Sequence, residues 1–145
     1  YDIAIWIDAN VIIKGDIESY AALVSSDPNT PIFGITHPHR NCIYEEATAV
    51  IASKKDTSDK VTRQLERYKK EGFPKKFGLI ETNLLVINLK HSKTRELFEA
   101  WSKEIENGSH RDQLSLNYCL WKTKTDWKPI FIEKTTLRDS FDFAY

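Results

Sequence analysis

Apolar positions fall into two patterns along the chain, short β-branched runs and longer stretches in which they recur three and four residues apart. Ile3, Ala4, Ile5, Trp6 and Ile7 form an apolar run that reads as a buried strand; Asp8, Ala9 and Asn10 punctuate it, and Val11, Ile12 and Ile13 make a second short run. Asp16 stands where an N-cap belongs, ahead of Tyr20, Leu23 and Val24 at helical spacing. Residues 31–36 read as a strand that ends in His37, Pro38, His39 and Arg40, where proline resists helix. Residues 43–70 turn helical, first through Ala47, Val50 and Ile51, then, after Asp56, Thr57 and Ser58, through Val61, Leu65 and Tyr68, until Gly72 stops them. Residues 79–87 predict a strand or a pair of strands with a polar centre. Leu97, Phe98, Trp101 and Ile105 mark a helix closed by Asn107 and Gly108. Ser109 is the expected N-cap of a last helix, with Leu114, Tyr118 and Trp121 on one face, and residues 129–132 predict a final strand. Alternating strands and helices imply an α/β domain with a mostly parallel sheet covered on both faces.

Composition narrows this picture. At 145 residues the chain suits a single domain, residues 1–145, able to bury a core without disulfides. Its 21 basic and 21 acidic residues cancel, which leaves no net field toward nucleic acid or an anionic membrane. Cys42 and Cys119 lack the spacing of a metal knuckle or redox pair, so a reducing, cytoplasmic setting is expected. No apolar run approaches the roughly 18–20 residues of a spanning helix. The entry from Tyr1 straight into a strand suggests a fragment of a longer chain, and oligomeric state is not legible.

Four polar clusters could carry chemistry. Asp8 and Asn10 follow a strand, where ligands collect in open α/β sheets; a carboxylate there suits Mg²⁺ or Mn²⁺ bridging a diphosphate, and equally a plain turn. The run from His37 through Ala47 concentrates His37, His39, Arg40, Glu45 and Glu46 at one strand-to-helix junction. Such groups suit phosphate or sugar hydroxyls, while Glu45 and Glu46 also favour a helix N-terminus without any ligand. Glu81, Thr82 and Asn83 interrupt an otherwise apolar strand, either to face an acceptor or because the strand is an edge. Arg111, Asp112 and Gln113 open the last helix, a placement that macrodipole electrostatics alone would favour for Asp112.

Taken together in order, Trp6-Ile7-Asp8, the run from His37 through Ala47, Gly78 through Asn83, and Arg111-Asp112-Gln113-Leu114-Ser115 with Tyr118 and Trp121-Lys122 resemble a glycosyltransferase-like family. Formerly a domain of unknown function, it has members in plant cell-wall and mucilage synthesis and in bacterial polysaccharide loci. The resemblance spans nearly the whole chain and rests on four ordered blocks. It implies a GT-A-like nucleotide-diphospho-sugar transferase fold, with a mostly parallel or mixed sheet flanked by helices, moving sugar from a nucleotide-sugar donor to a carbohydrate acceptor. Asp8 then falls at the end of a central strand as a donor or cation residue, with Asn10 beside it. Asp112 becomes the catalytic carboxylate, a general base if the reaction inverts and an acceptor grip if it retains. His37, His39, Arg40, Glu45, Glu81, Thr82, Asn83, Arg111 and Gln113 become donor- or acceptor-binding residues. Two departures stand out. An amide replaces the second carboxylate of the usual two-aspartate metal motif, and few residues precede Asp8, so part of the N-terminal nucleotide-binding half is expected to be missing and donor binding weak.

Two other readings compete. Ile7-Asp8-Ala9-Asn10-Val11-Ile12 also looks like the opening strand and acidic turn of a PIN-like, metal-dependent ribonuclease, with Glu45 or Glu46 and Asp112 as further acids. The third is a noncatalytic carbohydrate-binding domain.

Overall fold

The computed structural model describes residues 1–131 and 135–145. Its main sheet has four strands, β1 (Ile3–Ile7), β4 (Ile80–Asn88), β3 (Ile32–Thr36) and β5 (Lys128–Pro129), lying side by side in that order. β4 is antiparallel to both of its neighbours, and only β3 and β5 pair in parallel. The sheet is therefore mixed. Alternation of strands with helices suggested mostly parallel pairing, but the helix pair α2 (Ile43–Ala52) and α3 (Ser58–Lys70) returns the chain so that β4 runs against β3. Residue 132, the end of the predicted last strand, lies outside the described residues; within them β5 is two residues long.

Side-chain alternation divides the sheet between two cores. Leu85 and Ile87 of β4 join Ile32 beneath α2, α3, α4 (Ser92–Asn107) and α5 (Gln113–Thr123). On the other face Leu84 and Val86 meet Phe33, Ile35 and the Tyr20 and Val24 face of α1 (Glu18–Ser26). The same core takes in Leu137, from a 3-10 turn at Leu137–Asp139, and Phe143 of β6 (Phe143–Ala144), which pairs with β2 (Ile12–Ile13) in a separate ribbon. Both faces are thus covered, as the pattern predicted.

β1 is an edge strand among the described residues, not a central one, and it is only half-buried. Ile3, Ile5 and Ile7 face the core while Trp6 keeps 50% of its surface exposed. Two capping expectations also shift. Asp16 accepts from the Glu18 backbone N–H at 2.8 Å although Ile17 is the cap position, and Asp112, not Ser109, caps α5. Ser109 is buried and donates to Asp56, clamping the loop before α3 to the loop before α5.

Because β1 and β3 both oppose β4, the carboxyl ends of β1 and β3 and the amino end of β4 share one edge of the sheet. At that edge the pairing of β3 with β4 slips. Gly34 faces Leu85 but Ile35 faces Glu81, so Thr82, Asn83 and Leu84 have no partner on β3. A bulge of this kind re-aims side chains at the rim of a sheet.

Candidate functional site

The polar centre of β4 coincides with the bulge, which explains its sequence. Freed from the β3 ladder, Thr82 is buried toward α5 and donates its hydroxyl to Asp112 Oδ1 at 2.9 Å. The same oxygen accepts from the Gln113 backbone N–H at 2.7 Å, while the Asp112 carbonyl accepts from Trp101 Nε1 at 3.0 Å. Asp112 is thereby fixed from both sides, and among the described residues its Oδ2 accepts nothing. Asp112 thus caps α5 rather than lying within its first turn, and a strand hydroxyl holds the capping oxygen as well.

Asp8 sits beside this group. Its backbone N–H donates to the Asn83 carbonyl at 3.0 Å and its carbonyl accepts from Val11 at 3.0 Å, so Asp8, Ala9 and Asn10 do form a turn. Burial pushes the Asp8 carboxyl above its ordinary value, and the nearby Asp112 carboxylate pushes it further, against the Trp6 side chain and the Arg111 guanidinium. Asp8, Asp112 and Arg111 therefore share one electrostatic neighbourhood. Asn10 is exposed in the turn.

The second half of the edge is built on the β3 exit. His37 is buried, and its Nδ1 accepts from the backbone N–H groups of Arg40 at 3.0 Å and His39 at 3.2 Å. Burial, then the Arg40 charge, lowers its pKa, consistent with a neutral ring used to close the turn. Arg40 Nε donates to Glu46 Oε2 at 2.5 Å. Glu45 is exposed on α2, so the acid that meets Arg40 is its neighbour. The signal was present: Glu46 lies three residues from Ile43 and four from Val50, on the stripe that faces inward.

A cavity of about 220 Å³ opens at the β3 exit, lined by His37, Pro38, His39, Arg40, Glu81 and Asn83 together with Thr136 and Arg138; Asp8 and Asp112 are not among its lining residues. Desolvation raises the Glu81 carboxyl above its ordinary value. Glu81 Oε2, Asn83 Oδ1, Arg111 Nε and Gln113 Nε2 are buried without hydrogen-bond partners among the described residues. Polar atoms gathered at one edge in this way suit contact with water or a polar ligand. Thr136, Arg138 and Tyr145, which accepts from Asn83 Nδ2 at 2.8 Å, were missed because no local pattern ties the C-terminal segment to this edge.

The hard oxygens that could serve a divalent cation are those of Asp8, of Asp112, whose charge acts on it, and of the Asn10 amide in the adjoining turn. Among the described residues no three His, Cys, Asp or Glu side chains gather into a full cage. Two mutually repelling carboxylates fit Mg²⁺ or Mn²⁺ of the kind completed by substrate phosphates and water. Among the described residues the acids that a ribonuclease would need do not gather into one cluster, and Glu46 is bound to Arg40. A larger groove of about 600 Å³ between α3 and α4 is remote from this chemistry, and its Gln64, Arg67 and Glu104 are already bonded to one another or to Tyr68. No helix among the described residues is long and apolar enough to cross a membrane.

No curated protein and no solved structure is significantly similar to the chain. Residues 2–142 match the family described as "TOD1/MUCI70, glycosyltransferase-like domain", and the mixed sheet flanked by five helices is consistent with a partial GT-A-like fold. The match takes in all four sequence blocks and nearly every residue, and the chain belongs to the TOD1/MUCI70 glycosyltransferase-like domain family.

Proposed function

We propose that the sheet edge bearing Asp8 and Asp112 transfers a sugar from a nucleotide-diphosphate donor to a carbohydrate acceptor. The observation that carries this reading is the fixed Asp112 carboxylate. Thr82 and the Gln113 N–H hold one oxygen and leave the other for an acceptor hydroxyl, beside a second carboxylate, Asp8. Asp112 acts as general base in an inverting transfer, taking the acceptor proton from within about 2.6–3.2 Å. Asp8, with Asn10 in the adjoining turn, faces the donor diphosphate and is where Mg²⁺ or Mn²⁺ would be held. That cation, when bound, neutralises charge on the leaving nucleotide. Arg111 lies close enough to Asp8 to perturb its charge and orients anionic oxygens there.

The test is nucleotide release from a panel of sugar nucleotides with and without oligosaccharide acceptors. Asp112→Asn is expected to lower the transfer rate roughly 10²–10⁴-fold while donor affinity stays within a factor of about 3. Unchanged transfer in that variant, or a loss confined to donor affinity, refutes the assignment.

A further inference from the structure

The C-terminal segment contributes a cation to the candidate site that none of its sequence motifs announced. Arg138 lines the 220 Å³ cavity together with Arg40, and its guanidinium lies 3.9 Å from the Tyr145 ring centroid. Tyr145 is in turn held by Asn83 through its hydroxyl, so the bulge of β4, the tyrosine and the arginine form one bracket. Stacking fixes the plane of a guanidinium and leaves its N–H fork available. Among the described residues that fork makes no hydrogen bond, and Arg138 makes no ion pair. Arg40, by contrast, is committed to Glu46. Among the described residues the cavity therefore presents one guanidinium paired with Glu46 and a second, that of Arg138, which makes no hydrogen bond but whose charge favours ionisation of Glu81, beside the exposed His39 and the unpaired oxygens Glu81 Oε2 and Asn83 Oδ1.

We propose that this cavity is an oxyanion subsite in which Arg138 grips a phosphate or carboxylate whose neighbouring hydroxyls donate to Glu81 and Asn83. The inference rests on reading the edge as a glycosyl-transfer site. The shared chemistry is an anionic group attached to a hydroxyl-bearing sugar, supplied either by the donor's diphosphate or by an acidic sugar of the acceptor. A planar fork held over an aromatic ring favours such two-oxygen groups over a bare hydroxyl, and Thr136 at the rim adds a further hydroxyl to the lining.

Calorimetric titration of the full chain with uridine diphosphate, methyl glucuronoside and neutral methyl glucoside tests it. At least one anion is expected to bind more tightly than the neutral sugar, and Arg138→Gln should weaken that anion roughly tenfold, as loss of a charge-assisted pair implies. Arg138→Glu should weaken it further, with thermal melts confirming that both variants are folded. Weakening of uridine diphosphate assigns the subsite to the donor, and weakening of the glucuronoside assigns it to the acceptor. Equal affinities in the parent and both variants, or no anion binding up to about 10 mM, overturns the proposal. Arg138-dependent anion binding in a chain that transfers no sugar counts against the glycosyltransferase reading alone, whereas transfer indifferent to Arg138 counts against the subsite alone.

Discussion

Asp8 and Asp112 are carboxylates far apart in sequence, held close enough for one to raise the proton affinity of the other. The native state therefore holds the Asp8 proton more tightly than the unfolded chain does, and ionising it destabilises the fold as pH rises from the ordinary 3.8 through the raised value. Asp8→Asn removes this penalty. Its melting temperature should exceed the parent's at neutral pH, and the difference should vanish as pH falls below the ordinary value. An Asn variant no more stable than the parent at pH 7 would show that the repulsion is already relieved. Gain of stability with loss of turnover is what a strained functional carboxylate predicts. The same scale separates two adjacent acids. Glu46 is buried and bound to Arg40, Glu45 is exposed, and composition alone treats them as equivalent. Glu46→Ala should cost about 1–3 kcal/mol in chemical denaturation, given the half-exposed arginine it abandons, against roughly 0.5 kcal/mol or less for Glu45→Ala.

Helices were largely legible because their signal is local. The stripes through Ala47 and Val50, Val61 and Leu65, and Leu97 and Trp101 recur at the helical period and become the inward faces of α2, α3 and α4. The bulge of β4 was legible only as an oddity, polar residues in an apolar strand, since pairing register is a long-range property. What sustains it is α5. Asn117 is fully buried, and its Oδ1 accepts from the Ile80 backbone N–H at 3.0 Å, just before the ladder slips. Gly78, at φ +108°, turns the chain into position and donates its N–H to Asn41. Asn117→Ala leaves the Ile80 N–H buried without a partner and should destabilise by about 1–3 kcal/mol. It should also free Thr82 from Asp112, so transfer should fall by more than the loss of folded protein explains. Activity that tracks the folded fraction alone would confine Asn117 to a structural role.

On the scale of the whole molecule, both sheet faces were foreseen as covered, and the sequence blocks from residues 8, 37, 78 and 111 do reach one edge. Strand direction was not foreseeable from alternation, because whether β4 returns parallel or antiparallel depends on how α2 and α3 pack as a pair. The ribbon of β2 and β6 was equally hidden, since it joins segments more than a hundred residues apart with two residues each. Yet this ribbon fastens the cavity-lining C-terminal segment to the body. Phe143 is buried against Tyr20, with ring centroids 5.3 Å apart, and Leu137 is buried in the same core. Between these two anchors the chain carries Arg138, and beyond Phe143 comes the Tyr145 that stacks on it. Phe143→Ala should cost about 3–5 kcal/mol if the cavity stays open, and less if the ribbon detaches as a unit. Hydrogen exchange distinguishes these outcomes: detachment speeds exchange across residues 11–15 and 137–145 while β4 stays protected. In the detached case, Arg138-dependent anion binding should disappear although Asp8 and Asp112 remain in place. Anion binding that survives detachment would mean that Arg40 and His39 suffice without the C-terminal bracket.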